Sequence, residues 1–289
     1  MKPAPFDYLA PRTVAETVAA LSQHGDDAKV LAGGQSLVPM LNLRLARPAV
    51  LVDINGVAEL DHLREAEGLV HIGALQRQAG VERWAVTHLP LMSEALRAVG
   101  HAAIRNRGTV AGSVAHADPA SELPALLLCL DGAAVARGAG GERVVPAAEL
   151  FRAPLTTSLR ADELVTEVRF SLPRPDAGWG FAEVARRHGD FALVGSAALL
   201  WLDGSGRVAG ARLALFGVGG TPVRGAAAEA LLTGQAPSAE RIREAARAAA
   251  AALRPDGDLH ASAGYRTEVA AVLAERTLTT ALGRCRRAA

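Results

Sequence analysis

Two glycine-rich segments hold the residues best suited to chemistry in this chain. The first is Ala32-Gly33-Gly34-Gln35-Ser36-Leu37, set between the apolar runs Lys29-Val30-Leu31 and Val50-Leu51-Val52-Asp53-Ile54. Two adjacent glycines remove two β-carbons, so the backbone can take positive φ and come close to a ligand. Successive N–H groups in such a turn make a concave donor cluster suited to a phosphate, to which Ser36 adds a hydroxyl and Gln35 an amide. The second segment runs Arg105-Asn106-Arg107-Gly108-Thr109-Val110-Ala111-Gly112-Ser113 and continues through His116 to Asp118-Pro119. Arg105 and Arg107 place positive charge there, either to screen an anion or to cap loop carbonyls. Asp118 offers an acceptor for sugar-type hydroxyls. Each segment alone reads as a tight turn. The two together read as a grip on a ligand with a central diphosphate, held from both sides.

The elements that must position these segments follow from hydrophobic period and punctuation. Residues 13–23 read as a helix with Thr13 as N-cap and Gly25 as its stop. Strands at 30–31 and 50–54 flank the first glycine loop, with a turn or short helix at 39–44, giving a small β–loop–α–β lobe. A strand at 69–73 opens a second lobe, followed by helices at 76–85 and 90–99, the second glycine loop, a helix at 122–130, and strands at 133–135 and 164–170. The positive end of the 122–130 helix dipole would then point toward a bound anion. The run Leu172-Pro173-Arg174-Pro175-Asp176 marks the main boundary. Beyond it, alternating segments at 179–186, 194–202 and 208–218 predict three antiparallel strands. Helices follow at 222–232, 238–253 and 264–282, the second alanine-rich. Strands and then helices in succession predict an α+β fold, with the helices on one sheet face.

The bulk numbers narrow the function classes. With 289 residues, half of them apolar, and a net charge of +1, the chain can build a sizeable core over two domains. That balance suggests neither nucleic acid nor an anionic membrane as partner. The longest apolar run, 191–202, contains glycine and serine and stops short of the roughly 20 residues of a membrane span. The start, Met1-Lys2-Pro3-Ala4-Pro5-Phe6, has no apolar core of a secretory signal. Cys129 and Cys285 lie far apart and match no metal spacing. Cys129 reads as buried packing, and a reducing cytoplasm is the expected compartment. An iron–sulfur cluster needs about four thiolates, so two cysteines cannot hold one alone, and metal redox chemistry would belong to another polypeptide.

The pair AGGQSLVPMLNLRL…VDIN (32–55) and IRNRGTVAGSVAHADPASELPA (104–125) resembles the FAD-binding medium subunit of the molybdenum hydroxylases, the flavoprotein chain of carbon monoxide dehydrogenase and of xanthine, nicotine and related dehydrogenases. The resemblance covers nearly the whole chain. It implies a two-lobed FAD-binding domain of the PCMH type over residues 1–172, with lobes of about 1–57 and 58–172, and a C-terminal flavoprotein domain over 177–289. It assigns cofactor contacts to Ala32, Gly33, Gly34, Gln35, Ser36 and Leu37, and to Thr109, Val110, Ala111, Gly112 and Ser113. Asp118 matches an aspartate on FAD hydroxyls, and Leu164 and Val165 match apolar positions near the flavin ring. The family often has His where Gln35 stands, and Gln35 cannot ionise. It usually has Gly-Gly where this chain has Ala111-Gly112. If that position needs positive φ, alanine costs on the order of 1 kcal/mol.

Phe191 is read in two ways, as a ring stacked on the isoalloxazine or as a core aromatic at a strand start. His188 is expected in a solvent-facing turn. Of His71, His101 and His116, only His116 stands out for testing. Arg284, Arg286 and Arg287 read as a solvated basic helix end. The resemblance implies an electron-transfer subunit carrying FAD, in a heterotrimer doubled to a dimer of heterotrimers. Iron–sulfur clusters would lie on a small partner and the molybdenum cofactor on a large one. Two other readings stay open. A self-sufficient flavin-dependent oxidase or reductase would turn over substrate alone, and a non-redox nucleotide-binding assembly module would be colourless and bind ADP without flavin.

Overall fold

The computed structural model describes residues 2–285, so Met1, Arg286 and Arg287 lie outside the described residues. A first, parallel sheet has the order β1-β3-β2, with β3 central. Its parts are β1 (Asp7–Leu9), α1 (Val14–His24), β2 (Ala28–Leu31), α2 (Leu37–Asn42) and β3 (Val50–Asp53). The α1 boundaries follow the sequence signals. Thr13 Oγ1 accepts the Glu16 N–H at 3.1 Å, and Gly25 ends the helix at φ 52°. Strand β1 adds a parallel edge to the expected β–loop–α–β unit.

The second sheet is built from β4 (Leu63–Ala66), β5 (Leu69–Gly73), and, after a helical excursion, β6 (Ala133–Gly138), β7 (Gly141–Pro146) and β10 (Leu164–Ser171), in the order β4-β5-β10-β6-β7. The excursion holds α3 (Gln78–His88), α4 (Pro90–Ala98), α5 (Ala102–Arg105), α6 (Val110–His116) and α7 (Glu122–Cys129). A short helix, α8 (Ala147–Leu150), and a two-stranded ribbon of β8 (Phe151–Ala153) and β9 (Thr156–Thr157) precede β10. Every residue of α7 is buried, and Cys129 lies among them with its thiol pushed up to about 12 by burial.

The third sheet is antiparallel, with β11 (Gly178–Ala185), β12 (Ala192–Leu202) and β13 (Val208–Phe216) as its long strands. A two-residue fourth strand, β14 (Val223–Arg224), pairs at the edge where the pattern predicts the start of a helix. Helices α9 (Ala226–Leu232), α10 (Ala239–Ala251) and α11 (Ala263–Arg284) cover one face, as the order of elements predicts. The opposite face packs on α7, and β11 also meets α4. Along β12, Ala197 and Leu199 enter the core shared with α7, whereas Val194, Ala198 and Leu200 face the C-terminal helices. A strand covered on both faces reads as a continuous apolar run, which accounts for residues 191–202.

Candidate functional site

A cleft of about 530 Å³ opens where the β2–α2 loop, the α4–α7 segment and the β11–β12 hairpin meet. The two glycines of the first loop do different work. Gly34 sits at φ +72°, a conformation that β-carbons disfavour. Gly33 lies against the second segment: a Cβ there would stand 2.5 Å from the Arg107 carbonyl oxygen, 2.8 Å from Gly108 Cα and 3.0 Å from Thr109 N. The two glycine segments therefore touch backbone to backbone.

They are also joined from behind. Asn55, just beyond β3, donates Nδ2–H to the Ala32 carbonyl at 2.9 Å. Arg77 donates to Asn55 Oδ1 at 2.5 Å and to the Arg107 carbonyl at 2.7 Å. Burial, and then the charge of Arg107, hold the Arg77 guanidinium below its usual pKa. Two ladder-type bonds complete the joint, from Gln78 N–H to Gly108 O at 2.9 Å and from Val110 N–H to Gln76 O at 3.2 Å. With these bonds made, the N–H groups of Gly34, Gln35 and Ser36 find no protein acceptor among the described residues, and all three residues line the cleft.

Of the residues singled out from sequence, Ala32, Gly33, Gly34, Gln35, Ser36, Leu37, Thr109, Gly112, Ser113 and Phe191 line this one cleft. The others sit elsewhere. From Val110 onward the chain is helix, not loop: Thr109 Oγ1 caps α6 by accepting the Gly112 N–H at 3.0 Å. Ala111 thus has helical dihedrals, and the strain expected of an alanine at positive φ does not arise. Val110 and Ala111 are buried in the first core. Leu164 and Val165 are likewise core residues of β10 and do not border the cleft. Asp118 lies in the α6–α7 turn, where its Oδ1 accepts the Ala120 N–H at 2.8 Å. Gln35 folds its amide back onto the Gly33 carbonyl at 3.2 Å.

Phe191 is 66% exposed on the hairpin, so it is not a core aromatic. The hairpin reaches the α4–α5 loop through an edge contact of His188 with His101, ring centroids 6.2 Å apart. Arg105 is drawn away from the cleft by Glu82 at 2.8 Å and the Val99 carbonyl at 3.0 Å. His71 bonds Glu167 within the second sheet at 2.9 Å. His116 does line the cleft.

Among the lining residues that the sequence does not single out are Lys29, Gln78 and Glu122. Gln78 is buried and its Oε1 has no partner, an acceptor held at the cleft wall. Glu122 is 6% exposed at the start of α7. Burial, with a further contribution from Glu183 on β11, pushes its carboxyl up to about 8. Burial raises Glu183 to about 7. Nothing local distinguishes these polar residues in the sequence. Among the described residues, no group of three or more His, Cys, Asp or Glu could hold a metal ion, and no helix is long and apolar enough to cross a membrane.

The donor turn, the close loop joint and the exposed ring make a partly apolar site of the size that takes a cofactor. Residues 4–175 match the family described as the FAD binding domain in molybdopterin dehydrogenase, and residues 179–281 match the CO dehydrogenase flavoprotein C-terminal domain. The chain is 43% identical to the 6-hydroxypseudooxynicotine dehydrogenase complex subunit alpha of Paenarthrobacter nicotinovorans, over 99% of this chain and 97% of that protein. It is 37% identical to the carbon monoxide dehydrogenase medium chain of Hydrogenophaga pseudoflava, over 99% of this chain and all of that one. A solved structure of carbon monoxide dehydrogenase from Hydrogenophaga pseudoflava, lacking the Mo-pyranopterin moiety, superposes with a TM-score of 0.96 at 39% identity, over 99% of this chain and all of its counterpart. The chain therefore belongs to the FAD-binding medium subunits of the molybdenum hydroxylases, oxidoreductases of the carbon monoxide dehydrogenase type.

Proposed function

We propose that this cleft seats FAD and that the chain relays electrons within a molybdenum hydroxylase complex. The observation that carries the reading is the joint at Gly33, which brings the donor turn of Gly34 to Ser36 and the Thr109–Ser113 segment to one cleft. The residues present fit the group. The N–H groups of Gly34, Gln35 and Ser36 suit a diphosphate, Thr109, Gly112 and Ser113 form the facing wall, and the unpartnered Gln78 Oε1 suits a ligand hydroxyl or amine donor. Phe191, exposed on the hairpin, is placed to stack on a flat ring. Val110, Ala111, Leu164 and Val165 would back the wall from the core, and Asp118 would shape the α6–α7 turn.

FAD, when bound, supplies the ability to take electrons singly or in pairs and to pass them to an external acceptor. This chain would bind and orient it, while substrate oxidation occurs on another polypeptide. We further propose an iron–sulfur small subunit and a molybdenum-binding large subunit as partners, in a dimer of heterotrimers located in the cytoplasm. Within the chain, the FAD-binding domain would end near residue 172 and the C-terminal domain begin near 177. The test is to purify the chain with whatever accompanies it, record the flavin spectrum, and titrate the stripped protein with FAD. Gly33→Val should abolish FAD binding, and a colourless wild-type chain without affinity for FAD would refute the proposal.

A further inference from the structure

Leu155 sits in a backbone conformation that its own side chain disfavours. It follows Pro154 in the turn between β8 and β9 and has φ 55°, at a place where a turn that opens on proline ordinarily takes Gly or Asn. The side chain is 50% exposed, so burial within the chain offsets little of that strain. The fold nonetheless holds the residue there. Its N–H donates to the Ala117 carbonyl at 3.0 Å, and Ala117, at the end of α6, is itself left-handed at φ 53°. Thr156 Oγ1 donates to the Pro154 carbonyl at 3.1 Å. A side chain that costs strain and gains little burial is explained by a contact that a ligand completes.

The turn stands on the same wall of the cleft as Phe191. A Cβ on Gly220 would lie 3.0 Å from Pro154 Cδ, so the chain leaving β13 passes against the turn. A Cβ on Gly217, three residues earlier, would lie 2.5 Å from the carbonyl oxygen of Leu193, two residues beyond Phe191. Ribbon, β13 terminus and hairpin are thus in continuous contact. Leu155, Phe191 and Ile104 are the exposed large apolar side chains that line the cleft among the described residues. Ile104 differs from the other two, because it covers Gly100 on the α4–α5 loop. The diphosphate-facing residues lie elsewhere. Thr109 caps the start of α6, whereas Leu155 bonds the residue that ends it. Seven residues of helix separate the two by about 10 Å, the kind of separation that the ribityl chain of FAD sets between its diphosphate and its ring.

We propose that Leu155 is the specificity contact for the flavin ring, making with Phe191 an apolar seat that isoalloxazine fills and that a nucleotide diphosphate without a flavin leaves empty; the inference rests on the reading of the cleft as an FAD site. Burial of the exposed part of the leucine is then realised only in the complex. Removing the side chain has two effects of opposite sign. Leu155→Gly relieves the left-handed strain of the free chain and deletes the contact with the ring. Stability and affinity should therefore move apart, which a packing residue would not do.

The experiment is to titrate the full chain, stripped of flavin, with FAD and, by competition, with ADP, for wild type, Leu155→Gly and Leu155→Met, and to record the thermal melt of each stripped protein. In Leu155→Gly the Kd for FAD is expected to rise about 3- to 10-fold. The Kd for ADP should stay unchanged, and the melting temperature should hold or rise. Leu155→Met keeps an apolar side chain and should keep wild-type affinity for FAD. Undiminished FAD affinity in Leu155→Gly overturns the proposal. So does an equal loss of FAD and ADP with a lower melt, which marks Leu155 as packing for the cleft wall. A wild-type chain that binds ADP but no FAD overturns the cofactor reading itself, before any variant is compared, so the two failures are distinguishable.

Discussion

Gly33→Ala isolates the loop joint from every other role of the glycine pair. Gly33 is not at positive φ, so alanine meets no backbone penalty there. The added Cβ would lie 2.5 Å from the Arg107 oxygen and 2.8 Å from Gly108 Cα. Both obstacles are backbone, which no rotamer change can move aside. The second segment must retreat by several tenths of an ångström or more. The bonds that hold it, Gln78 N–H to Gly108 O at 2.9 Å and Arg77 to Arg107 O at 2.7 Å, would stretch. Overpacking of this kind costs about 1–3 kcal/mol, and if the loss falls on the bound state it weakens FAD about 5- to 150-fold. Gly34→Ala is the contrast. It carries strain at φ +72°, but its Cβ meets only the side-chain tips of Leu31 and Val38 at 3.2 Å, which can give way. Flavin-fluorescence titration of both variants, with thermal melts of the stripped chains, is the assay. The reasoning fails if Gly33→Ala binds FAD as wild type does with an unchanged melt, or if Gly34→Ala loses the more affinity.

Thr109→Val keeps the side-chain shape but leaves the Gly112 N–H without its acceptor, and should cost about 1 kcal/mol of stability, read as a lower melting temperature. Arg77→Lys replaces a fork that spans Asn55 Oδ1 and the Arg107 carbonyl by a point charge that cannot span both. FAD affinity should drop several-fold, and an unchanged Kd would remove the rear joint from the account. Glu122 titrates at about 8 in the folded chain against its ordinary value of 4.5. The folded state therefore binds the extra proton, and stability is lost as pH climbs from the ordinary carboxylate range to about 8. Glu122→Gln should accordingly be stabilising at pH 8, by up to a few kcal/mol, with little gain at pH 4; melts at both pH values decide it. Phe191→Ala should leave the stripped chain's melt within a degree or so, since the ring is 66% exposed, yet cost the flavin a stacking contact worth about 0.5–1.5 kcal/mol. A large fall in melting temperature would mark Phe191 as packing instead.

What the sequence makes legible here is what short-range physics controls. The α1 cap and stop, the long strands of the third sheet and the buried α7 all follow from local signals, because each has an apolar period or a capping residue of its own. The elements without such a signal are short or half-exposed: β1 is three residues on an edge, and β7 alternates around Glu142 and Arg143 with little apolar content. Helix α6 is harder to see for a different reason. Val-Ala-Gly-Ser-Val-Ala-His has the small residues of a loop, and only the Thr109 cap argues for a helix. Both glycine segments are legible as a pair. Their physical contact is not, because Asn55 and Arg77, which complete it, lie far from each other and from both loops in sequence. Gln78 and Glu122 enter the cleft for the same non-local reason, since nothing in the residues around them specifies that they face inward.

The placement of the cleft has a consequence for how binding and folding couple. Its walls come from the loop after β2, from the α4–α7 excursion of the second sheet, and from a hairpin of the third sheet. Beside the apolar core that α7 shares with the third sheet, polar contacts join these parts at seams near the cleft: the Arg77 clamp, the His188–His101 edge contact, and the Gly217 N–H on the Pro119 carbonyl at 2.8 Å. A ligand that touches all three walls bridges each seam at once. Binding to the folded state alone adds RT ln(1 + [L]/Kd), about 4 kcal/mol at a thousandfold excess over Kd. Disrupting any one seam should therefore weaken the ligand's hold on residues across the others, so Arg77 and Phe191 variants should combine non-additively in FAD affinity even though the two side chains touch opposite walls. Strict additivity in that double-mutant cycle would mean that each wall binds its own part of the cofactor independently, and that the joint at Gly33 serves the first wall alone.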